Sequence, residues 1–396
     1  MRVLFSSFSG SGHFHPLVPS ARALQAAGHE VAFAVPASFV SVVEANGFRG
    51  FAAGIFFDSM NVDLAEMRKR QAVLMSGPPE KAAEFAAGMF VDQFARGKVP
   101  ELLRVCEEWK PELLVFDSMD LAPILVGEKL GIPYASIQVG GGRRRMSDSP
   151  VFRQRLDALR PELGLSPDPR GEALYRYLHL AFLPASFFGA PIAPTAHHFR
   201  PDAFDRSGTE QLPAWVESLP AGRPVVYATL GTVFNKDVSP LRTIIEGLRE
   251  EPVELIVTVG RDQDPAQFGA LPGHVHVERY IPQSLLLPRC DLAILHGGYS
   301  SVQSAVAAGV PSLIVPLGAD QPMNAEAAVA LGTARMLSIE ALTPETIRQQ
   351  VRELLADGGY RTRARAAQAE AQKLPGLERA VALLEQLARE KRPLPV

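Results

Sequence analysis

Residues 291–321, DLAILHGGYSSVQSAVAAGVPSLIVPLGADQ, place a histidine, a glycine pair and two serines where a strand gives way to a helix. DLAIL is a short apolar run of the buried-strand type, and SSVQSAVAAG reads as a helix closed by Gly309, with Pro311 two positions on. The first N–H groups of a helix have no partners within it, and the macrodipole adds positive potential there, so such a junction suits an anion. His296, Gly297, Gly298, Ser300 and Ser301 are therefore candidates for holding a diphosphate. Glycines let the backbone come close, hydroxyls donate, and an imidazole can donate to a phosphate oxygen or match its charge. The competing reading is a tight turn with a serine N-cap.

A second constellation opens the chain. RVLFSS reads as a strand running into FSGSGHFHP, and Leu17 to Ala27 reads as a helix with Gly28 behind it. Gly10 and Gly12 begin a G-x-G-x-x-G fingerprint, but its third glycine would fall at His15, so the match fails. What remains is a flexible turn presenting His13 at the carboxyl edge of a parallel sheet, where open α/β folds bind their ligands. An imidazole, with a reference pKa of about 6.5, is suited to taking a proton from a hydroxyl near neutral pH. Asp117, at the end of the ELLVF run, stands at the same edge and is the first choice for the carboxylate that fixes the tautomer; Asp120 is the second. A structural histidine and an aspartate N-cap are the alternatives for this pair.

Both constellations need strands to carry them. Apolar runs RVLFSS, EVAFAV, ELLVF and PYASIQ in the first half, and PVVYATLG, VELIVTVG, HVHVE, LAILH and SLIVPL in the second, alternate with helical patterns. The alternation predicts βαβ units in an α/β protein with two doubly wound, Rossmann-like domains. Prolines crowd residues 184–223 without clear periodicity, which reads as the break. We assign an N-terminal domain to 1–200, a linker to 201–221, a C-terminal domain to 222–375 and a last helix to 376–396. That helix carries Leu377, Ala380, Leu383, Leu384 and Leu387 on one stripe and is expected to cross back onto the first domain. Of 21 phenylalanines all but Phe234 and Phe268 lie at or before Phe204, which means either an aromatic core or an apolar cleft in the first domain that takes a hydrophobic ring system.

Composition excludes several classes. With 396 residues, 47% hydrophobic and 21% charged, and a net charge of -3, the chain has no electrostatic footprint for nucleic acid. The triplet Arg143, Arg144 and Arg145 reads as a solvated loop. No signal peptide and no membrane span is legible, and two cysteines, Cys106 and Cys290, make neither a disulfide framework nor a zinc site. The expectation is a reduced, cytoplasmic protein.

Taken in order, GHFHP, Asp117, TLGT (229–232), YIPQ (280–283), HGGYSS (296–301) and GADQ (318–321) resemble the family 1 glycosyltransferases of GT-B fold, and among them the bacterial enzymes that decorate natural products. The resemblance covers nearly the whole chain. It implies an amino-terminal domain for the acceptor facing, across a cleft, a carboxyl-terminal domain for a nucleotide-activated sugar. It further implies that Tyr280 stacks on the base, Ile281 bonds it through its backbone and Gln283 sits near the ribose. Thr232, His296 and Ser301 would hold the diphosphate with Gly297, Gly298 and Ser300, Asp320 and Gln321 would bind sugar hydroxyls, and His13 with Asp117 would be the catalytic base pair. Arg261, after another strand, either reaches the diphosphate or is a surface arginine beside Asp262.

The chain departs from the family at three positions: Tyr280 stands for a frequent tryptophan, Ser304 for a frequent glutamate that reaches ribose hydroxyls, and Ser300 for an asparagine of plant-like members. Loss of the glutamate favours a dTDP-sugar over a UDP-sugar. The expected activity is an inverting, metal-independent transfer to a hydrophobic small-molecule acceptor, with no cofactor and a possible homodimer. Its rivals are a catalytically silent nucleotide-sugar-binding helper of the same fold and a sugar-nucleotide epimerase.

Overall fold

The computed structural model of the protein describes residues 1–55, 79–141, 149–202, 204–205, 210–231, 237–260 and 263–396. It divides into two units. The first comprises Met1–Phe182, Pro191–Phe199 and Pro375–Val396, and the second Leu183–Ala190 and Arg200–Leu374.

In the first unit, strands β1 (Arg2–Ser6), β2 (Glu30–Val35), β3 (Arg49–Ala52), β4 (Leu113–Asp117), β5 (Tyr134–Ile137), β6 (Leu178–Ala181) and β7 (Ala196–His198) form one parallel sheet in the order β3-β2-β1-β4-β5-β6-β7. Continuous apolar runs such as LLVFD, buried at every position, fit a sheet covered on both faces. The chain winds outward from β1 to β3 and returns to the other side of β1 with β4. That reversal makes the carboxyl ends of β1 and β4 a switch point, where the diverging connections leave a crevice. Phe5, Phe14, Phe33 and Phe48 pack together, with Phe33 5.0–5.1 Å from each of the others, so much of the phenylalanine excess is core.

The second unit repeats the plan. Strands β8 (Val225–Thr229), β9 (Glu254–Thr258), β10 (Val275–Glu278), β11 (Leu292–Leu295), β12 (Ser312–Ile314) and β13 (Ala334–Met336) pair in parallel in the order β10-β9-β8-β11-β12-β13. Its switch point lies between β8 and β11. The helix Tyr299–Ala308 follows β11 and ends, as its sequence predicts, at Gly309 with φ +66.

Two expectations need correction. His13 is not in a flexible turn but inside a short helix, Ser11–Phe14, which runs through His15–Leu17 into the helix Val18–Ala26. Pro16 and Pro19 fit there because each stands in the first turn of its own helical segment, where no N–H is needed. Residues 201–221 are not a free linker: Val216, on the helix Ala214–Glu217, is buried with Val225, Tyr227 and Ile256 of the second unit. Leu183 and Phe187 likewise pack on Tyr299, Val302 and Val306, taking Leu183–Ala190 into that unit although they precede residue 200.

The last helix, Leu377–Glu390, buries Ala380, Leu383, Leu384 and Leu387, each leucine contributing about 2 kcal/mol of burial. His29 Nε2 lies 2.8 Å from a carboxylate oxygen of Glu385. Beyond the helix, Leu394 N–H donates to the Tyr177 carbonyl at 2.9 Å and Val396 N–H to the Pro194 carbonyl at 3.1 Å. No helix among the described residues is long and apolar enough to cross a membrane.

Candidate active site

At the first switch point, β4 ends on Asp117 and the helical turn after β1 carries His13. The Nδ1 of His13 hydrogen-bonds Asp117 Oδ2, and the other carboxylate oxygen accepts the Met119 N–H at 2.8 Å. Asp117 is wholly buried while the His13 side chain is 32% exposed, so the carboxylate is sequestered and the imidazole is accessible. With Nδ1–H donating to Asp117, the lone pair of His13 sits on Nε2. Phe8 meets the imidazole edge-on at 5.4 Å and contacts Phe94 and Phe90 at 5.2 and 6.1 Å. Phe90 and Phe94 lie on a π-helical stretch, Gly88–Ala95, a distortion that recurs at functional sites. The second-choice aspartate, Asp120, has a different partner: its Oδ2 accepts Lys98 Nζ at 2.6 Å and Ser6 Oγ at 2.7 Å. Lys98 is 2% exposed and also donates to the Ser7 carbonyl at 2.9 Å. A lysine in an amphipathic helix ordinarily points outward, so no signal in the sequence marks this buried pair.

At the second switch point His296 follows β11 directly. It is enclosed by glycines: a Cβ at Gly231 would stand 2.6 Å from its ring, and one at Gly298 would overlap it. Gly231 follows β8 with φ +76 and Gly297 has φ +87, both in the left-handed region that favours glycine. Burial alone pushes the His296 pKa down to about 4, so the ring is neutral at pH 7 and acts as a hydrogen-bonding group, not a charge. Its Nδ1 and the Tyr299 hydroxyl are buried without a hydrogen-bond partner among the described residues, and such orphans mark places that a ligand can satisfy. Burial and the nearby Asp320 carboxylate raise the Tyr299 pKa. The helix Tyr299–Ala308 has Gly298 at its cap and no side chain capping it, which removes the serine N-cap reading.

Around this helix, Ser301 Oγ lies 3.4 Å from Gln283 Nε2, joining two of the expected donor residues. Ser300 offers its carbonyl to Ser304 Oγ at 2.9 Å. Ile281 is buried in the core, leaving only its backbone for a base, and the Tyr280 hydroxyl donates to the Asp205 carbonyl. Asp205 in turn accepts the Ser284 N–H at 2.6 Å and its hydroxyl at 2.8 Å, a fastening with no sequence signal. Gln321 differs from expectation in part. Its side-chain oxygen accepts the N–H groups of Leu317 and Gly318 at 2.6 and 3.1 Å, so only its amide nitrogen remains for a sugar. Asp320 follows Ala319, which holds φ +56, a conformation costing about 1 kcal/mol for a residue with a Cβ. Thr232 and Arg261 lie outside the described residues.

The sequence signature of the erythromycin biosynthesis protein CIII-like N-terminal domain matches residues 22–231, and that of the corresponding C-terminal domain matches residues 242–387. The chain belongs to this family. It is a GT-B glycosyltransferase of the bacterial natural-product type. The glycosyltransferase is 30% identical to L-demethylnoviosyl transferase of Streptomyces niveus over 91% of either chain. It is 29% identical to 4'-demethylrebeccamycin synthase of Lentzea aerocolonigenes, over 92% of this chain and 94% of the relative. Among solved structures it is similar to the glycosyltransferase SnogD from Streptomyces nogalater, with a TM-score of 0.73 and 27% identity over 98% of this chain and 99% of that one.

Proposed function

We propose that the protein moves a sugar from a nucleoside diphosphate donor, a dTDP-sugar in preference to a UDP-sugar, onto a hydrophobic small-molecule acceptor, with inversion and without a metal. The His13–Asp117 hydrogen bond supports this reading most, because an imidazole held by a buried carboxylate is arranged to take a proton on Nε2. In the proposed step the acceptor nucleophile bonds to the anomeric carbon from the face opposite the diphosphate. Its proton passes to His13, and the carbon–oxygen bond to the diphosphate breaks. The departing charge is met by the start of the helix Tyr299–Ala308 and by a neutral N–H of His296. A silent binding protein would have no use for the oriented base.

The ring of Phe8 beside His13, with Phe90 and Phe94 packed on it, favours an apolar acceptor. Preference for dTDP rests on Ser304, whose hydroxyl is bonded to its own helix and which offers no carboxylate to a ribose 2′-hydroxyl. Tyr280, held through its hydroxyl, supplies the face for the base. Thermal melts with dTDP, UDP and GDP test the donor. With all three at one concentration, 100 times the Kd of dTDP, dTDP stabilises by about 2.7 kcal/mol and weaker ligands by less, so dTDP should raise the Tm most, and a larger shift with UDP or GDP would overturn the preference.

A further inference from the structure

Asn324 lies on the helix Gln321–Ala330, one turn after Asp320, and is completely buried. Its amide nitrogen stands 2.7 Å from Asp320 Oδ2 and 2.9 Å from the Gly297 carbonyl. A primary amide has two N–H groups, so both bonds form at once. One partner belongs to the turn after β11 and the other to the turn after β12.

These two turns are in contact at a second point. A Cβ at Gly297 would come within 2.8 Å of Ile314 and 3.0 Å of the Gln321 carbonyl, so the backbone of the first turn is pressed against the second. Gln321 stiffens its own turn through Leu317 and Gly318, and Ala319 is held left-handed immediately before Asp320. A carboxylate on such a turn still rotates about its side-chain bonds unless something fixes it, and the second amide hydrogen of Asn324 does so.

We infer that Asn324 is a positioning residue for the donor sugar: anchored on the Gly297 carbonyl, it sets the Asp320 carboxylate in register with the turn that holds the diphosphate. The inference rests on the proposed roles of Asp320 toward the sugar and of the Gly297 turn toward the diphosphate. Asn324 itself touches neither ligand group. Its amide hydrogens are spent on protein oxygens, and the effect reaches the sugar only through Asp320.

The test is a double-mutant cycle read by titration calorimetry on the full chain, with dTDP and dTDP-glucose as probes. Asp320→Ala and Asn324→Ala are each expected to weaken dTDP-glucose about tenfold and to leave dTDP within about twofold. The double variant should be no weaker than about tenfold, because Asn324 has nothing left to position. If Asn324→Ala gives no cooperative melt, Asn324→Leu, similar in size and without donors, takes its place in the cycle. Unchanged dTDP-glucose affinity in Asp320→Ala would remove the sugar role of Asp320 and the inference with it. A tenfold loss in Asp320→Ala with none in Asn324→Ala, equal losses of dTDP and dTDP-glucose in Asn324→Ala, or a hundredfold loss in the double variant would overturn the positioning role alone.

Discussion

Acidification from pH 7 to pH 4 is expected to cost the second unit about 3 kcal/mol through His296 alone. Its pKa falls from 6.5 to about 4 in the folded protein because the ring is buried among glycines, with no countercharge beside it among the described residues. Between those values the unfolded chain takes up a proton that the folded chain refuses. Stability is therefore complete above about pH 6.5, falls as the pH drops, and is fully lost from this source once the folded ring also titrates near pH 4. At about 1.4 kcal/mol per pKa unit the full shift is worth about 3–4 kcal/mol, of which about 3 kcal/mol develops between pH 7 and pH 4. Urea melts of Trp109→Phe, in which Trp215 reports on the second unit, would be compared with the same chain carrying His296→Gln, which cannot titrate. All other acid-sensitive groups are shared, so the difference in unfolding free energy between the two should change by about 3 kcal/mol across this range. Parallel curves would show that His296 is protonated in the fold, and the neutral hydrogen-bonding role at the diphosphate would fail with it.

His13→Ala should lower kcat by roughly 10²- to 10⁴-fold, with dTDP affinity unchanged by calorimetry; wild-type turnover would remove His13 from the chemistry. Gly231→Ala drives a methyl into the His296 ring from a left-handed position, so it should lose at least about 2 kcal/mol in urea melts and the thermal shift with dTDP. Adding His296→Ala should restore part of the stability but not the shift, and a stable single variant would contradict the enclosure. Lys98→Met strands a buried carboxylate and should cost about 3–5 kcal/mol, most of it recovered with Asp120→Asn; equal stability of the two variants would mean that the pair is not buried as described.

The strands that carry the site were legible because they are continuous apolar runs closed by chemistry-bearing residues: LLVF ends on Asp117 and LAIL on His296. The strands that escaped sequence reading are RGFA, LHLA, AHH and ARM, three or four residues each without an apolar run. Three of them lie at sheet edges, where one neighbour is absent and the hydrophobic demand is lower. His13 and Asp117 could be paired from the sheet edge that they share, whereas the helical turn that holds His13 could not, since two glycines and a proline suggest a loop. Lys98 and Asp205 gave no signal because their roles depend on partners distant in sequence. Asn324 follows Asp320 by one helical turn, a spacing that the sequence displays, yet its bond to Gly297 spans 27 residues and only the fold reveals it. The excursion of Leu183–Ala190 into the second unit was hidden for the same reason, a short apolar segment being equally at home in either core.

The residues Pro375–Val396 complete a body begun at Met1, so the order in which the parts are synthesised is not the order in which they can be finished. On a ribosome adding roughly 5–20 residues per second, Arg200–Leu374 takes about ten seconds or more to emerge, and throughout that interval the earlier-born half waits with the seat of Leu383, Leu384 and Leu387 vacant. The later-born half is contiguous but for Leu183–Ala190, which precede it, and is free to mature first. A stop codon in place of Pro375 would thus injure the beginning of the protein while sparing its middle.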